Sequence, residues 1–431
     1  MKDKANKWFK LDNSGKIFPN VYSKRESHTF RIQVSLTETI DPKLLQVAIN
    51  EILNRFPMFK VRLKRGLFWY YFDNNDKPFI ISEMTYKLCS MIDFHQNSNY
   101  LFKVMYRNNA IAIEMFHALA DGKGAVDFLE SLIFQYLKIK EYTVTPDNMI
   151  KTIDELPTEE EYEDANKIYF DKSNRLRIKE EKAYRIQGTF LPNNSTGLIS
   201  GVLNTQDFLK LTRNKGVSIT QYIVALAMYS IYLTQIRYRT HLKTHSNPVK
   251  VAIPVNLRKY FPSKTLRNFS NIIKTSIVMD TDNIEFDDIL KIVKDSFKEK
   301  LVKEELIRKI SENVAYERLL FLRLTPVILK KYILKIGYQL LGSKLNTMSI
   351  SNVGNIILPE SLKPYVKDFS VAMGAGSNSK INCAIISYND RLSITFTSSI
   401  IETHIQKEFF RHLTNLGIEV LIESNYMERL I

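Results

Sequence analysis

Ile111-Ala112-Ile113-Glu114-Met115-Phe116-His117-Ala118-Leu119-Ala120-Asp121-Gly122 is the stretch whose reading decides the fold of this 431-residue chain. Ile111, Ile113 and Met115 alternate with the period of a half-buried strand. Beyond Lys123 the spacing changes, and Ala125, Phe128, Leu129, Leu132 and Ile133 recur at helical intervals. His117 therefore stands where a strand leaves its sheet and bends towards a helix, a place held rigidly yet able to face a cleft. A neutral imidazole, with an ordinary pKa of about 6.5, accepts a proton near pH 7. Asp121 is expected to point inward, where a buried carboxylate needs an arginine or backbone donors. Gly122 permits close approach of a ligand. In a chain with 7 His and 14 Gly, the pattern His-x-x-x-Asp-Gly is expected by chance only about 0.01 times. The same residues also suit a core histidine followed by an N-cap aspartate.

Working outward, the length favours two lobes over one core. Apolar residues at 45% and charged residues at 25% are ordinary globular values. Cys89 and Cys383 stand alone, without CxxC spacing, so neither a disulfide framework nor a zinc site is expected. They fit a reducing cytoplasm. The basic start, Met1 to Lys7, is not followed by the apolar core of a secretory signal. Tyr222 to Leu233, the longest apolar run, falls short of a spanning helix. A net charge of +15 points to acidic partners: nucleic acid, membrane headgroups or a phosphorylated small molecule. No zinc-finger spacing, RNP-type run or helix-turn-helix signal supports nucleic acid.

Taken in order, Phe30 to Leu36 alternates as a strand, and Asp41-Pro42 opens a helix through Leu53. Phe59 to Leu63, Phe68 to Phe72 and Pro78 to Ile81 are strand candidates. Leu101 to Tyr106 pairs with Ala110 to Phe116 across Arg107-Asn108-Asn109. Residues 1–150 form the first lobe. The segment 151–186, acidic and proline-broken around Asp154 to Glu161 and basic from Lys172 to Lys182, is a linker or crossover. Residues 187–431 form the second lobe. There, Gly197 to Leu203, Val249 to Val255 and Ile272 to Val278 read as strands. Ser218 caps an apolar helix to about Ile236, and Asp287 to Lys309 is amphipathic. Ile381 to Tyr388 and Leu392 to Ser398 make a hairpin followed by a helix from about Ile405 to Ile422, the same order as hairpin and helix around His117.

His117-Ala118-Leu119-Ala120-Asp121-Gly122 resembles the HxxxDG signature of the chloramphenicol acetyltransferase-like superfamily. That group includes alcohol O-acetyltransferases, BAHD acyltransferases, polyketide-associated acyltransferases and the condensation domains of nonribosomal peptide synthetases. Phe56 to Leu63, Ile253 to Arg258 and Ser351-Asn352-Val353-Gly354 are similar to further stretches of these proteins. Trp8 to Asp12 and Leu67 to Phe72 most resemble stand-alone bacterial alcohol acetyltransferase-like proteins. The resemblance implies an α/β fold of mixed sheets, two similar lobes and an active-site tunnel at their junction.

It also implies an acyltransferase. Acetyl or another acyl group would pass from a CoA thioester to an alcohol or amine, with His117 as general base and Asp121 and Gly122 completing the motif. The superfamily pairs its motif aspartate with an arginine in the segment matched by Arg258; read from the residues alone, Arg258 equally suits an exposed arginine at a turn, and Arg267-Asn268-Phe269 is the fallback. Acyl transfer builds negative charge on the carbonyl oxygen, so donors must await it. Thr347, Ser349 and Ser351 alternate on one strand face beside Asn352, and Ser349, Ser351 and Asn352 are the candidate oxyanion and substrate-binding residues; a polar edge strand is the other reading. Acyl-CoA, or acyl-phosphopantetheine on a carrier protein, is a co-substrate, with no permanently bound cofactor. His28, His95, His241, His245, His404 and His412 show no ligand spacing, so no metal is expected. Arg318 to Lys344, with six basic residues and no acid among many leucines and isoleucines, could lie on a membrane, cover an acyl chain or form ordinary packed helices. Two rivals stand beside acyl-CoA transfer: a free-standing condensation-type enzyme fed by a carrier protein, and a non-catalytic binding protein.

Overall fold

The computed structural model describes residues 8–172, 181–192, 195–237, 247–279, 283–337 and 345–426. Met1 to Lys7, His241, His245 and most of Lys172 to Lys182 lie outside them. Among the described residues the strands form three sheets. In the first half the strands are β1 (Phe9–Lys10), β2 (Thr29–Leu36), β3 (Val61–Arg65), β4 (Tyr70–Asn74), β5 (Ser82–Glu83), β6 (Phe102–Arg107) and β7 (Ala110–Phe116). In the second half they are β8 (Gly197–Asn204), β9 (Val249–Asn256), β10 (Ser270–Ile277), β11 (Met348–Ile356), β12 (Val366–Met373), β13 (Ile381–Tyr388), β14 (Arg391–Ser398) and β15 (Leu421–Ser424).

Helices α1 (Phe18–Val21), α2 (Pro42–Arg55) and α3 (Gly122–Ile139) belong to the first half. Asp41 caps α2 through its carboxylate, which accepts from the N–H groups of Lys43 and Leu44, with proline at the first position. After the crossover helix α4 (Ala165–Ile168) come α5 (Thr205–Asn214) and α6 (Ile219–Ile231). Ser218 and Gln221 close a capping box on α6. The apolar segment runs on through a π turn to Ile236, and 61% of Ile219–Ile236 is buried. It is the central helix of the second core.

The amphipathic run expected over Asp287 to Lys309 is two helices, α7 (Phe286–Lys300) and α8 (Lys303–Arg318), followed by α9 (Leu320–Leu324) and α10 (Val327–Gly337). The last helix, α11 (His404–Asn415), stops well before Ile422. Gly417 adopts φ +81°, a left-handed conformation that ends the helix, and the chain returns as β15. Pro78 to Ile81 is not a strand; pairing begins only at Ser82.

Two similar hairpins anchor the two main sheets. β6 and β7 turn on Asn108-Asn109, and β13 and β14 on Asn389-Asp390, with Asn108 and Asn389 each at φ 50°. Asparagine tolerates that region better than other side chains, which is what a two-residue hairpin demands. Each hairpin is followed by a helix, α3 or α11. The first sheet runs β12-β2-β7-β6-β5 and the second β10-β9-β11-β13-β14-β8-β15. The order shows that β12, from the C-terminal half, pairs antiparallel with β2 along its length and completes the sheet that holds His117. β7 is also more deeply set than its alternation suggests, because both its faces are covered. Its one acidic residue, Glu114, is buried and held by Arg31 Nη2 at 2.7 Å and the Cys89 N–H at 2.7 Å.

Candidate functional site

His117 is the first residue after β7 and is half-buried. Its N–H donates to the carbonyl of His28 at 2.9 Å, which fixes the backbone as it leaves the sheet. Its ring lies flat against Phe18, with centroids 4.9 Å apart and planes 23° apart, and meets Phe30 edge-on at 5.3 Å. Those contacts set the plane of the imidazole. Its rotation within that plane is set by a hydrogen bond, Nδ1 to Asn268 Oδ1 at 2.9 Å.

The direction of that bond follows from what lies behind it. Asn268 Nδ2 donates to Asp12 Oδ2 at 3.1 Å, and a carboxylate can only accept. The amide oxygen of Asn268 therefore faces the ring, Nδ1 carries the proton, and Nε2 keeps the lone pair. Asp12 is fully buried. Burial, with Asp164 adding to it, leaves its carboxyl above the usual range despite the opposing pull of Arg267, with Nε 3.6 Å away, and of the Gly15 N–H at 2.6 Å. His28, packed against Phe18, is driven down to about 4 by burial and by the neighbouring His117, so it stays neutral at physiological pH.

Asp121 caps α3, its Oδ1 accepting the Gly124 N–H at 3.1 Å. Its Oδ2 accepts Arg258 Nη1 at 2.8 Å and the Phe269 N–H at 2.9 Å. Arg258 is itself fixed by the carbonyls of Thr265 and Arg267, at 2.8 and 2.6 Å from Nη2. Asp121 is thus a strut between the halves, its two carboxylate oxygens taken up by Gly124, Arg258 and Phe269. Arg267 spends its guanidinium on Asp12 and on the carbonyls of Lys10 and Tyr162. The glycines divide their roles unexpectedly. A Cβ on Gly122 would meet only Val353, at 3.9 Å, whereas one on Gly124 would lie 2.0 Å from the Leu266 carbonyl oxygen. Gly124, which the sequence did not single out, is a position where the backbones of the two halves approach closely.

Val353 belongs to β11, so this strand reaches the N-terminus of α3. It bulges there: the register with β13 slips between Asn352 and Gly354, and Gly354 adopts φ +102°. Asn352, read as an oxyanion donor, has its amide engaged in holding the bulge. Its Oδ1 accepts the Gly354 N–H at 2.9 Å and its Nδ2 donates to Thr220 at 2.9 Å. Thr347 is buried between Tyr184 and Lys250. Ser349 and Ser351 are half-buried on the face of β11 opposite Met348 and Ile350, and no hydrogen-bond partner of the Ser351 hydroxyl occurs among the described residues. A cavity of about 260 Å³ is lined by Lys24, Arg25 and Ser377 with Phe190 and Leu191. His117 is not among its lining residues.

Sequence reasoning missed Asn268 as the partner of His117, and Asp12 behind it. The available signal was Asp12-Asn13-Ser14-Gly15, an aspartate turn whose carboxylate takes the Gly15 N–H.

Solved structures of the same architecture are numerous. Polyketide synthase associated protein 5 from Mycobacterium tuberculosis superposes with a TM-score of 0.62 at 15% identity, covering 94% of this chain and 97% of that one. The starter condensation domain of rhizomide synthetase RzmA, in complex with C8-CoA and Leu-SNAC, gives 0.59 at 11% identity, over 95% and 94%. TRI3 trichothecene 15-O-acetyltransferase from Fusarium sporotrichioides gives 0.57 at 9%, over 94% of each chain. Comparison with curated proteins returns no match. The sequence model of the alcohol acetyltransferase family matches residues 163–416, which include Arg258, Asn268 and β11 but not His117. With more than half of its length matched, and the remainder folded around a histidine that faces that matched segment, the chain belongs to the alcohol acetyltransferase family of acyltransferases.

Proposed function

We propose that this protein transfers an acyl group from a CoA thioester to the hydroxyl of a small alcohol, with His117 Nε2 as the base. The observation that carries the reading is the Asp12–Asn268–His117 chain of hydrogen bonds, which leaves one ring nitrogen unprotonated on a half-buried imidazole. Nε2 takes the proton of the acceptor hydroxyl as its oxygen attacks the thioester carbonyl. The tetrahedral oxyanion is met by the Ser351 hydroxyl, with Ser349 on the same face of β11. On collapse the C–S bond breaks, and the proton on Nε2 passes to the departing thiolate, giving an ester and free CoA. Asp121 and Arg258 hold the turn and take no part in proton transfer.

Two observations support CoA as donor. Lys24 and Arg25 line a cavity three to four residues before His28, whose carbonyl holds His117, and cations there suit a phosphorylated carrier. A domain of this fold also binds C8-CoA. The buried thiols Cys89 and Cys383 are compatible with a cytoplasmic site of action. The test is thiol release from acetyl-CoA and longer acyl-CoAs in the presence of mixed alcohols. Turnover is expected from the wild type and a loss of at least about 10²-fold from His117→Ala, with the melting temperature preserved. Equal rates in the two proteins would sink the mechanism; thiol release only from an acyl carrier protein would replace CoA by a carrier as donor.

A further inference from the structure

Helix α10 is built inside out. At helical spacing, Ile328, Leu329, Tyr332, Ile333 and Ile336 share one arc of its surface, and all of them face solvent. The least exposed, Ile333, is still 39% exposed. The side turned inward carries Val327 and a lysine. Lys330 is fully buried, its ammonium 2.6 Å from the Phe68 carbonyl and 3.4 Å from the centre of the Trp69 ring. Helix α9, just before it, adds Leu320, Phe321 and Leu324 to the exposed apolar surface. A monomeric protein rarely leaves so continuous an apolar patch in water without a use for it.

The charges say what covers it. Residues 318–344 contain six basic side chains, the buried Lys330 among them, and no acid. Arg323 and Lys331 are exposed, on the same two helices as the apolar surface. A second copy docked face to face on this patch, as in a two-fold dimer, would set these cations against their like, with no acid in the segment to pair them. An anionic bilayer satisfies both halves of the surface: phosphate headgroups take the cations, and the acyl region takes the apolar side chains. We infer that α9 and α10 form a docking surface for anionic phospholipid membranes. The surface lies close to the site, because α10 packs on α1, whose Phe18 covers the ring of His117. The inference does not depend on the reaction proposed above, since binding is measured without turnover.

The full chain is sedimented with vesicles of phosphatidylcholine alone and with vesicles in which roughly one third is phosphatidylglycerol. Binding is expected on the anionic vesicles, little on the neutral ones, and release as salt rises. Arg323→Glu with Lys331→Glu is expected to weaken binding at least about 25-fold, taking roughly five-fold for each cation lost. Leu329→Glu with Ile333→Glu is expected to abolish binding while the melting temperature holds. Three results would overturn the inference. The wild type could fail to bind anionic vesicles at low salt. The Leu329→Glu/Ile333→Glu protein could bind as well as the wild type, which would mean attraction by net charge alone. Light scattering could show a dimer that these substitutions dissolve, with no vesicle binding, which would assign the face to a second copy.

Discussion

A histidine can act as a base only through whichever nitrogen its neighbours leave unprotonated, and for His117 the tautomer is set two residues away from the ring. Asp12 orients the Asn268 amide, and the amide oxygen fixes the proton on Nδ1 of His117. Replacing Asn268 by alanine leaves the fold and the stacking on Phe18 in place but frees the ring to rotate and change tautomer. We expect kcat to fall roughly ten- to a hundred-fold with KM little changed, read from initial rates across acceptor concentrations. Equal losses in kcat and 1/KM would mean that Asn268 binds substrate instead. His28 makes a different prediction. Its folded pKa of about 4 lies below the ordinary 6.5, so between these values the unfolded chain binds the extra proton and the folded one does not. Its contribution is complete above pH 6.5 and is lost as pH falls towards 4, by up to about 3 kcal/mol. Urea unfolding across that range should show a shallower loss in His28→Gln than in the wild type.

Among the elements, the loop from Leu257 to Phe269 between β9 and β10 assembles the site. Arg258 and the Phe269 N–H hold Asp121, Asn268 holds His117, Arg267 holds Asp12, and the Leu266 N–H donates to Glu161 of the crossover at 3.0 Å. The strand-to-helix turn at His117 is legible in the sequence because strand and helix periods meet there. The loop is not, since Lys259-Tyr260-Phe261-Pro262-Ser263-Lys264 has no period and reads as an ordinary surface connection. Its value lies in contacts with residues more than 100 positions away, which local pattern does not encode. The glycines show the same limit: the motif draws attention to Gly122, while the tight approach falls at Gly124. Gly124→Ala should destabilise the protein by about 1–3 kcal/mol, because the clash is with a backbone carbonyl that cannot rotate away. Gly122→Ala should leave the melting temperature nearly unchanged, since its Cβ meets only the edge of Val353. Parallel thermal melts decide the matter, and a larger loss at Gly122 would contradict the geometry.

The two main sheets have similar hairpins and helices, and that much follows from periodicity and turn residues alone. Their interdependence does not, because β12 reads as one more strand of the second half, yet its partner is β2 in the first. Each half lacks something the other supplies: the first sheet would lose its edge strand, and Asp121 its arginine, if the halves parted. A buried aspartate stripped of its partner costs about 3–5 kcal/mol, enough to couple the unfolding of one half to the other. The chain carries its own probe of this coupling. Both tryptophans, Trp8 and Trp69, lie in the first half, so intrinsic fluorescence follows that half while far-UV circular dichroism follows helices in both. If β12 and the Asp121–Arg258 pair bind the halves into one cooperative unit, the two signals will give the same urea midpoint. In Asp121→Asn the joint is weakened, and the fluorescence and dichroism midpoints should separate. Wild-type midpoints that already differ would mean that the halves melt independently, with the shared strand peeling away before either core opens.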